Sequence, residues 1–152
     1  FMQEQQLHLT LITFLTLFIF TGCDKNNDPA PKTKTELLTQ ASWKFSSASA
    51  AGTDITDNPA IVCVKDDVVT FSANGSGTVT EGTVVCNPTT AGNITWNFQD
   101  SETKLMMSSG LFPAGSGLFT IVTLNETTLT LSQDVTIPPS PIPVPVSATY
   151  VH

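Results

Sequence analysis

Hydrophobic residues follow two different patterns along the chain. The first is an almost continuous apolar run from Leu7 to Phe20. As a helix this run would be about 21 Å long, at about 1.5 Å per residue, which is short for a bilayer core of about 30 Å. Its length is typical of the hydrophobic region of a signal peptide. Residues 1–6 contain no Lys or Arg, which is unusual for such a peptide, and a buried helix is the alternative interpretation.

The second pattern begins at Trp43, where short segments alternate between apolar and polar residues and are separated by turn-forming residues. Such alternation is typical of β-strands with one buried face. Tight turns such as "ANGSG" at 73–77 join most of these segments. The pattern predicts an all-β protein: an eight-stranded antiparallel up-and-down barrel, with a two-sheet sandwich as the alternative. The predicted strands are 43–46, 68–72, 77–85, 93–98, 104–109, 117–124, 129–135 and 146–152.

Two further segments depart from this alternation. A short N-terminal helix is predicted over residues 36–41, with Thr35 as its capping residue. The second segment, residues 138–145, is rich in proline. Because the prolines at 139, 141, 143 and 145 alternate, their missing N–H groups would all face one side of an extended chain, as in an edge strand. A polyproline II connector is the other interpretation.

The end of the first apolar run has the sequence Phe20-Thr21-Gly22-Cys23, which resembles a bacterial lipobox. Small residues before the cysteine allow a peptidase to approach the backbone, and the thiol then receives the lipid. We therefore expect residues 1–22 to be a lipoprotein signal peptide and residues 23–34 to be a flexible tether that begins at lipidated Cys23. Residues 35–152 would form the barrel domain, and the lipid would bind the membrane. An ordinary cleaved signal peptide with a chance cysteine is the alternative.

The cysteine count is consistent with export. If Cys23 carries lipid, Cys63 and Cys86 remain as an even pair in an oxidising compartment. They lie at nearly equal distances from the turn at 73–77, so pairing across this hairpin would bring them level. We therefore predict a Cys63–Cys86 disulfide, with two free buried thiols as the alternative.

Charge and chemistry exclude several classes of function. The net charge is −7 and the six basic residues are scattered lysines, so no nucleic-acid partner is expected. The only histidines are His8 and His152, which leaves no general base in the body of the domain. The carboxylate pairs Asp54/Asp57 and Asp66/Asp67 are interpreted as solvated loop residues. We expect neither enzymatic activity nor a metal ion or other cofactor.

The order of several segments in the domain resembles the lipocalin-like lipoproteins of Gram-negative bacteria. These segments are "LLTQASWKFSSASAAGTDITD", "KDDVVTFSANGSGTV", "EGTVVCNP", "ITWNFQDSETKL" and "FTIVTLNETTLTLS", within residues 37 to 134. The resemblance implies an eight-stranded barrel, a paired Cys63 and Cys86, and a binding role in the cell envelope, at the outer membrane or cell surface. The chain departs from larger lipocalins at Ala41-Ser42-Trp43, where a glycine would stand two residues before the tryptophan.

Large apolar side chains at alternating strand positions are the candidates for ligand contact. In an eight-stranded barrel such side chains either line a cavity for a small hydrophobic ligand or simply fill the interior. We expect a lipid-anchored envelope protein whose barrel binds such a ligand. The alternative is a non-enzymatic surface interaction or structural lipoprotein with a solid core. The candidate residues are Phe45, Phe71, Trp96, Phe98, Met107 and Ile121.

Overall fold

The structure is a computed structural model that describes residues 29–109, 111, 117–136 and 141–152. The chain divides into two units, Phe1–Pro31 and Lys32–His152, and every helix and strand described below belongs to the second. The predicted signal peptide and Cys23 lie outside the described residues. Within the described part of the chain, no helix has both the length and the apolar character needed to span a membrane.

Nine antiparallel strands form one sheet that closes on itself. The closure is made by β1, which pairs with β3 at its start and with β9 along most of its length. Eight strands therefore form a closed barrel, which confirms the predicted all-β barrel over the sandwich. The ninth is the two-residue β2, which was not predicted and extends β1 as a hairpin. The elements are α1 (Lys34–Thr39), β1 (Trp43–Ala50), β2 (Thr53–Asp54), a 3₁₀ helix (Val62–Val64), β3 (Val68–Phe71), β4 (Ser76–Thr80), β5 (Gly92–Gln99), β6 (Lys104–Met107), β7 (Leu118–Leu124), β8 (Thr128–Thr136) and β9 (Pro143–Val151).

The inner face of the barrel is apolar because alternate residues of each strand point to the same side. β8 shows the alternation clearly. Leu129 and Leu131 are buried, while Thr128 before them and Thr130 between them are partly exposed. The largest completely enclosed side chains come from several strands and from the helix. They are Trp43, Tyr150, Phe119, Leu38, Leu105, Leu129 and Leu131.

Helix α1 begins two residues earlier than the sequence suggested. Its N-cap is Thr33 rather than Thr35, because the Thr33 hydroxyl accepts from Glu36 N while the Glu36 carboxylate accepts from Thr33 N. This reciprocal capping box satisfies two backbone donors at the helix start. The helix ends at Thr39 and buries Leu38, whose carbonyl accepts a 2.8 Å hydrogen bond from the Trp43 indole.

The two ends of the barrel differ in construction. At the end where β1 begins, which we call the helix end, the connections are tight turns at 72–75, 100–103 and 125–127. Helix α1 is fixed there, since Gln40 donates to Glu126 O. At the other end, which we call the loop end, the described long connections are 51–67 and 81–91. Function in barrels and sandwiches concentrates on long loops held by a rigid scaffold, which directs attention to the loop end.

The proline-rich segment is a strand where it enters the barrel. β9 begins at Pro143, and Pro143 and Pro145 lie opposite Thr136 and Asp134 of β8. The Pro145 carbonyl accepts from Ala51 N, so its backbone faces the β1 side, beyond the last residue of β1. The missing proline N–H therefore interrupts no bond with β8. The interpretation of this segment as a strand is therefore correct from Pro143 onward, and the polyproline II interpretation is wrong there. Residues 137–140 lie outside the described residues.

Candidate functional site

The predicted disulfide is present and joins two loops. Cys63 and Cys86 are bonded, with Cα atoms 5.0 Å apart. Their placement differs from the expectation, because β4 ends at Thr80 rather than continuing to residue 85. Cys86 therefore lies in the 81–91 connection, and Cys63 lies in the 3₁₀ helix of the 51–67 connection. The bond cross-links the two described long connections of the loop end.

The six candidate ligand-contact residues all belong to the barrel interior. Phe45, Phe71, Trp96 and Met107 are buried, while Phe98 and Ile121 are partly buried against the same core. Three of them contact one another, since the Trp96 ring meets Phe71 and Phe98 edge-on at centroid distances of 5.8 and 5.4 Å. Such perpendicular ring pairs are a favourable packing arrangement.

Trp96 is also fixed by hydrogen bonds. Its indole N–H lies 3.1 Å from Ser72 O and 2.9 Å from Ser76 O, at the two ends of the β3–β4 turn. A ring held by packing and by its only donor has little freedom to move aside for a ligand.

Two carboxylates hold the 81–91 connection against the barrel. Glu81 accepts hydrogen bonds from the Thr89 hydroxyl at 2.6 Å, from Thr90 N at 2.8 Å and from Cys86 N at 3.2 Å. These bonds lower the pKa of Glu81, the Thr89 bond most strongly. Asp66 accepts from Thr83 N at 2.6 Å and from Val84 N at 3.2 Å. Burial opposes the ionisation of Asp66, but these bonds outweigh it and lower its pKa.

A third carboxylate, Asp67, is buried beside this network and only 5% exposed. Its Oδ2 lies 3.3 Å from the Thr90 hydroxyl, which also lies 3.0 Å from Glu81 Oε1. Its Oδ1 is buried and has no hydrogen-bond partner among the described residues. The pKa of Asp67 is raised to about 6, mainly by burial, with the Thr90 hydrogen bond opposing the rise and the negative charges of Glu81 and Asp66 adding to it.

The interpretation of Asp67 as a solvated loop residue was therefore wrong. The signal that could have revealed it is the alternation of β3, because Asp67, Val69 and Phe71 share one parity, and the last two are buried on the inner face. Glu81 continues the inner face of β4 in the same way after Val79. The β3–β4 register pairs Val68 with Thr80, so continuing it by one residue sets Asp67 opposite Glu81.

Apolar side chains are exposed next to the disulfide. Val62 precedes Cys63 and is 43% exposed, while Val84 and Val85 precede Cys86 and are 46% and 63% exposed. Exposed valines are unremarkable singly. These three, which we call the loop-end valines, lie on connections that the disulfide and the carboxylates hold in place.

The remaining chemistry of the described residues is sparse. No group of three His, Cys, Asp or Glu side chains within them could hold a metal ion. His152 packs on Trp43 with ring centroids 3.9 Å apart, and its Nδ1 lies 3.0 Å from Ser42 O, so it belongs to the helix end. No protein-family model matches this chain, and no curated protein matches it.

Proposed function

We propose that this protein is a lipid-anchored, non-enzymatic protein of the cell envelope whose barrel is a solid support for an interaction surface at the loop end. The observation that carries the proposal is the packing of three of the interior candidates, in which Trp96 contacts Phe71 and Phe98 and is held by two carbonyl groups. Side chains that satisfy each other in this way act as core rather than as the lining of a binding cavity.

The arrangement of the two ends supports a directional role. Lys32, the first residue of the barrel unit, pairs with Glu126 at the helix end. The barrel unit therefore begins at the helix end, opposite the loop end. The loop-end valines would then be presented on connections that a disulfide and the carboxylates of Glu81 and Asp66 stabilise.

The location follows from the lipobox at Phe20 to Cys23 and from the resemblance to lipocalin-like lipoproteins. We place the protein in the envelope, at the outer membrane or the cell surface, anchored by lipid on Cys23. Two or more acyl chains suffice for stable anchoring, since each buried CH₂ contributes about 0.8 kcal/mol.

A second candidate function is the binding of a small hydrophobic ligand inside the barrel. The observation that favours it is the partial exposure of Phe98 and Ile121, which occupy interior strand positions without complete burial. Opening of the barrel at these residues would admit an apolar molecule to the Trp96 ring and its neighbours Phe71 and Phe98.

Native mass spectrometry of the protein purified from its host's membranes distinguishes the two functions. A solid barrel predicts the mass of the acylated chain with no small-molecule adduct. An apolar adduct that remains bound to wild type, and is lost when Phe98→Ala and Ile121→Ala are combined, would overturn the solid-barrel proposal and support the second candidate.

The interaction surface is tested by site-specific photo-crosslinking in the intact host. A photoreactive amino acid at Val85 should give a discrete crosslinked species, and Val84→Asp in the same chain should abolish it. The matched control places the same photoreactive residue at Thr78, which is exposed on the outer face of β4. Equal crosslinking from both positions, or none from Val85, would contradict a specific surface at the loop end.

A further inference from the structure

A groove on the outside of the barrel lies against the β1–β2 hairpin and shares no residue with the carboxylate network of the loop end. Its volume is about 420 Å³, which falls within the roughly 300–1,000 Å³ of small-molecule sites. The groove is lined by Ser47, Ala48, Ser49, Gly52, Asp54, Thr130, Ser147 and Thr149.

The hydroxyl groups of this groove are ordered by strand pairing. The register places Ser47, Thr149 and Thr130 side by side across three strands. It places Ser49, Ser147 and Ser132 side by side in the neighbouring row. Strands lie about 4.8 Å apart and alternate residues about 6.7 Å apart. The outer face of β1, β9 and β8 is therefore a grid of hydroxyl groups.

A hydroxyl group can both donate and accept a hydrogen bond, although the Ser132 hydroxyl already donates to Val146 O at 3.2 Å. The pair Thr130 and Thr149 already has its oxygen atoms 3.1 Å apart, where either can be the donor. Short side chains of this kind lose little conformational entropy when a ligand orders them. The surface is therefore suited to a ligand that itself presents many groups able to donate and accept.

Asp54 supplies the charged group at the edge of the groove. Its Oδ1 accepts a 2.8 Å hydrogen bond from Thr56 N, and bonding to Thr56 lowers the pKa of Asp54. An ionised carboxylate is a strong acceptor for ligand O–H groups. A second groove of about 350 Å³ shares Asp54 and is lined also by Ile55, Asp57 and Asn58, so polar groups continue around the hairpin.

The lining excludes other ligand classes. No lysine lines either groove, and Lys65, whose charge reaches Asp54, is already paired with the Asp57 carboxylate, so a phosphate or carboxylate ligand would meet Asp54 without a free positive charge. Ala48 is the one apolar side chain in the larger groove, so a hydrophobic ligand would bury little apolar surface there.

From these observations we infer that the groove between the β1–β2 hairpin and β9–β8 binds an uncharged saccharide. The ring hydroxyls of the sugar would pair with Ser49, Ser147 and Thr149 along the grid, and Asp54 would accept from a hydroxyl at the edge. This site shares no residue with the loop-end valines, so it stands or fails independently of the proposed interaction surface.

The test is a calorimetric titration of the full acylated protein in lipid nanodiscs. The probes are maltotriose, cellotriose and tri-N-acetylchitotriose as neutral saccharides, with trigalacturonate as an anionic counterpart. At least one neutral trisaccharide should bind with a dissociation constant on the order of 1 mM or below, which corresponds to about −4 kcal/mol. Trigalacturonate should not bind.

Variants then assign the binding to the groove. Thr149→Val keeps the side-chain shape but removes its hydroxyl, and Asp54→Asn removes the charge; each should weaken binding about tenfold, the equivalent of roughly 1.4 kcal/mol. Ser147→Ala serves in place of Thr149→Val if that variant unfolds. The matched control is Thr78→Val on the outer face of β4, which should bind as wild type does. Absence of binding by all neutral probes, unchanged binding in the groove variants, or equal binding of trigalacturonate would overturn the inference.

Discussion

Replacing Asp67 with asparagine should stabilise the protein at neutral pH, although it removes a buried acid. The Asp67 carboxyl is enclosed, one oxygen has no partner among the described residues, and the nearest charged groups, Glu81 and Asp66, are also negative. Tyr150 is the buried titratable group on β9 that senses Asp67, and its pKa is raised by burial and then by that charge. Ionised Asp67 is therefore destabilising, and a neutral amide of the same size relieves this cost.

The magnitude follows from the pKa of Asp67, which is about 6 in the fold against an ordinary value of 3.8. At 1.36 kcal/mol per pH unit, this difference corresponds to about 3 kcal/mol. Since the pKa is raised on folding, the folded protein binds the proton more tightly. The cost of ionisation is complete above about pH 6, falls as the pH drops, and vanishes below about pH 3.8.

The assay is urea denaturation followed by tryptophan fluorescence at intervals between pH 4 and pH 8. We expect Asp67→Asn to raise the free energy of unfolding by up to about 3 kcal/mol at pH 8 and by almost nothing at pH 4. Carboxylates remote from Asp67 titrate equally in both proteins, so the difference between the two curves reports Asp67 together with its coupling to Glu81 and Asp66.

The matched control is Asp134→Asn, which changes an exposed carboxylate on β8 and should leave the free energy of unfolding nearly unchanged at every pH. The reasoning is refuted if Asp67→Asn is less stable than wild type at pH 8. It is also refuted if the difference between Asp67→Asn and wild type does not depend on pH. Either result would mean that ionised Asp67 is stabilised in the fold by a partner that the structure does not show.

Three further predictions concern the cysteines and the core. The double variant Cys63→Ala/Cys86→Ala should lose about 3 kcal/mol of unfolding free energy, because the bond closes a long loop in the unfolded chain. Reduced wild type should match the double variant in urea denaturation. Equal stability of the variant, the reduced protein and the oxidised protein would contradict this prediction. Cys23→Ala should abolish acyl labelling and release the protein from the membrane fraction, and an unlabelled wild type would refute the lipobox. Trp96→Phe should lower the free energy of unfolding by about 1–3 kcal/mol in thermal or urea denaturation, because two carbonyl groups of the β3–β4 turn lose their donor. An unchanged free energy of unfolding would show that water replaces the indole as the donor.

Strand positions and side-chain direction could be read from the sequence because they depend on neighbouring residues. The alternation around Trp96 and around Leu129 and Leu131 predicted β5 and β8 within a residue or two at each end. The two cysteines near a single hairpin also predicted their bond, because the turn at 73–77 brings nearby flanking residues together. The cap of α1 was misplaced by two residues, since Thr33 and Thr35 are equally good caps until the Glu36 side chain selects one.

Only the tertiary structure decided how the barrel closes and which acid is buried. Pairing of β1 with β9 joins residues about a hundred positions apart, and no local pattern specifies the partner of an edge strand. The same closure explains why Pro145 is tolerated, since β1 ends beside it. Asp67 and Asp66 are adjacent and chemically identical, yet one is enclosed and the other reaches the 81–91 connection. Their pKa values shift in opposite directions because backbone N–H groups of the 81–91 connection outweigh burial at Asp66, whereas burial prevails at Asp67. Both effects depend on the elements packed around a side chain and not on its neighbours in sequence.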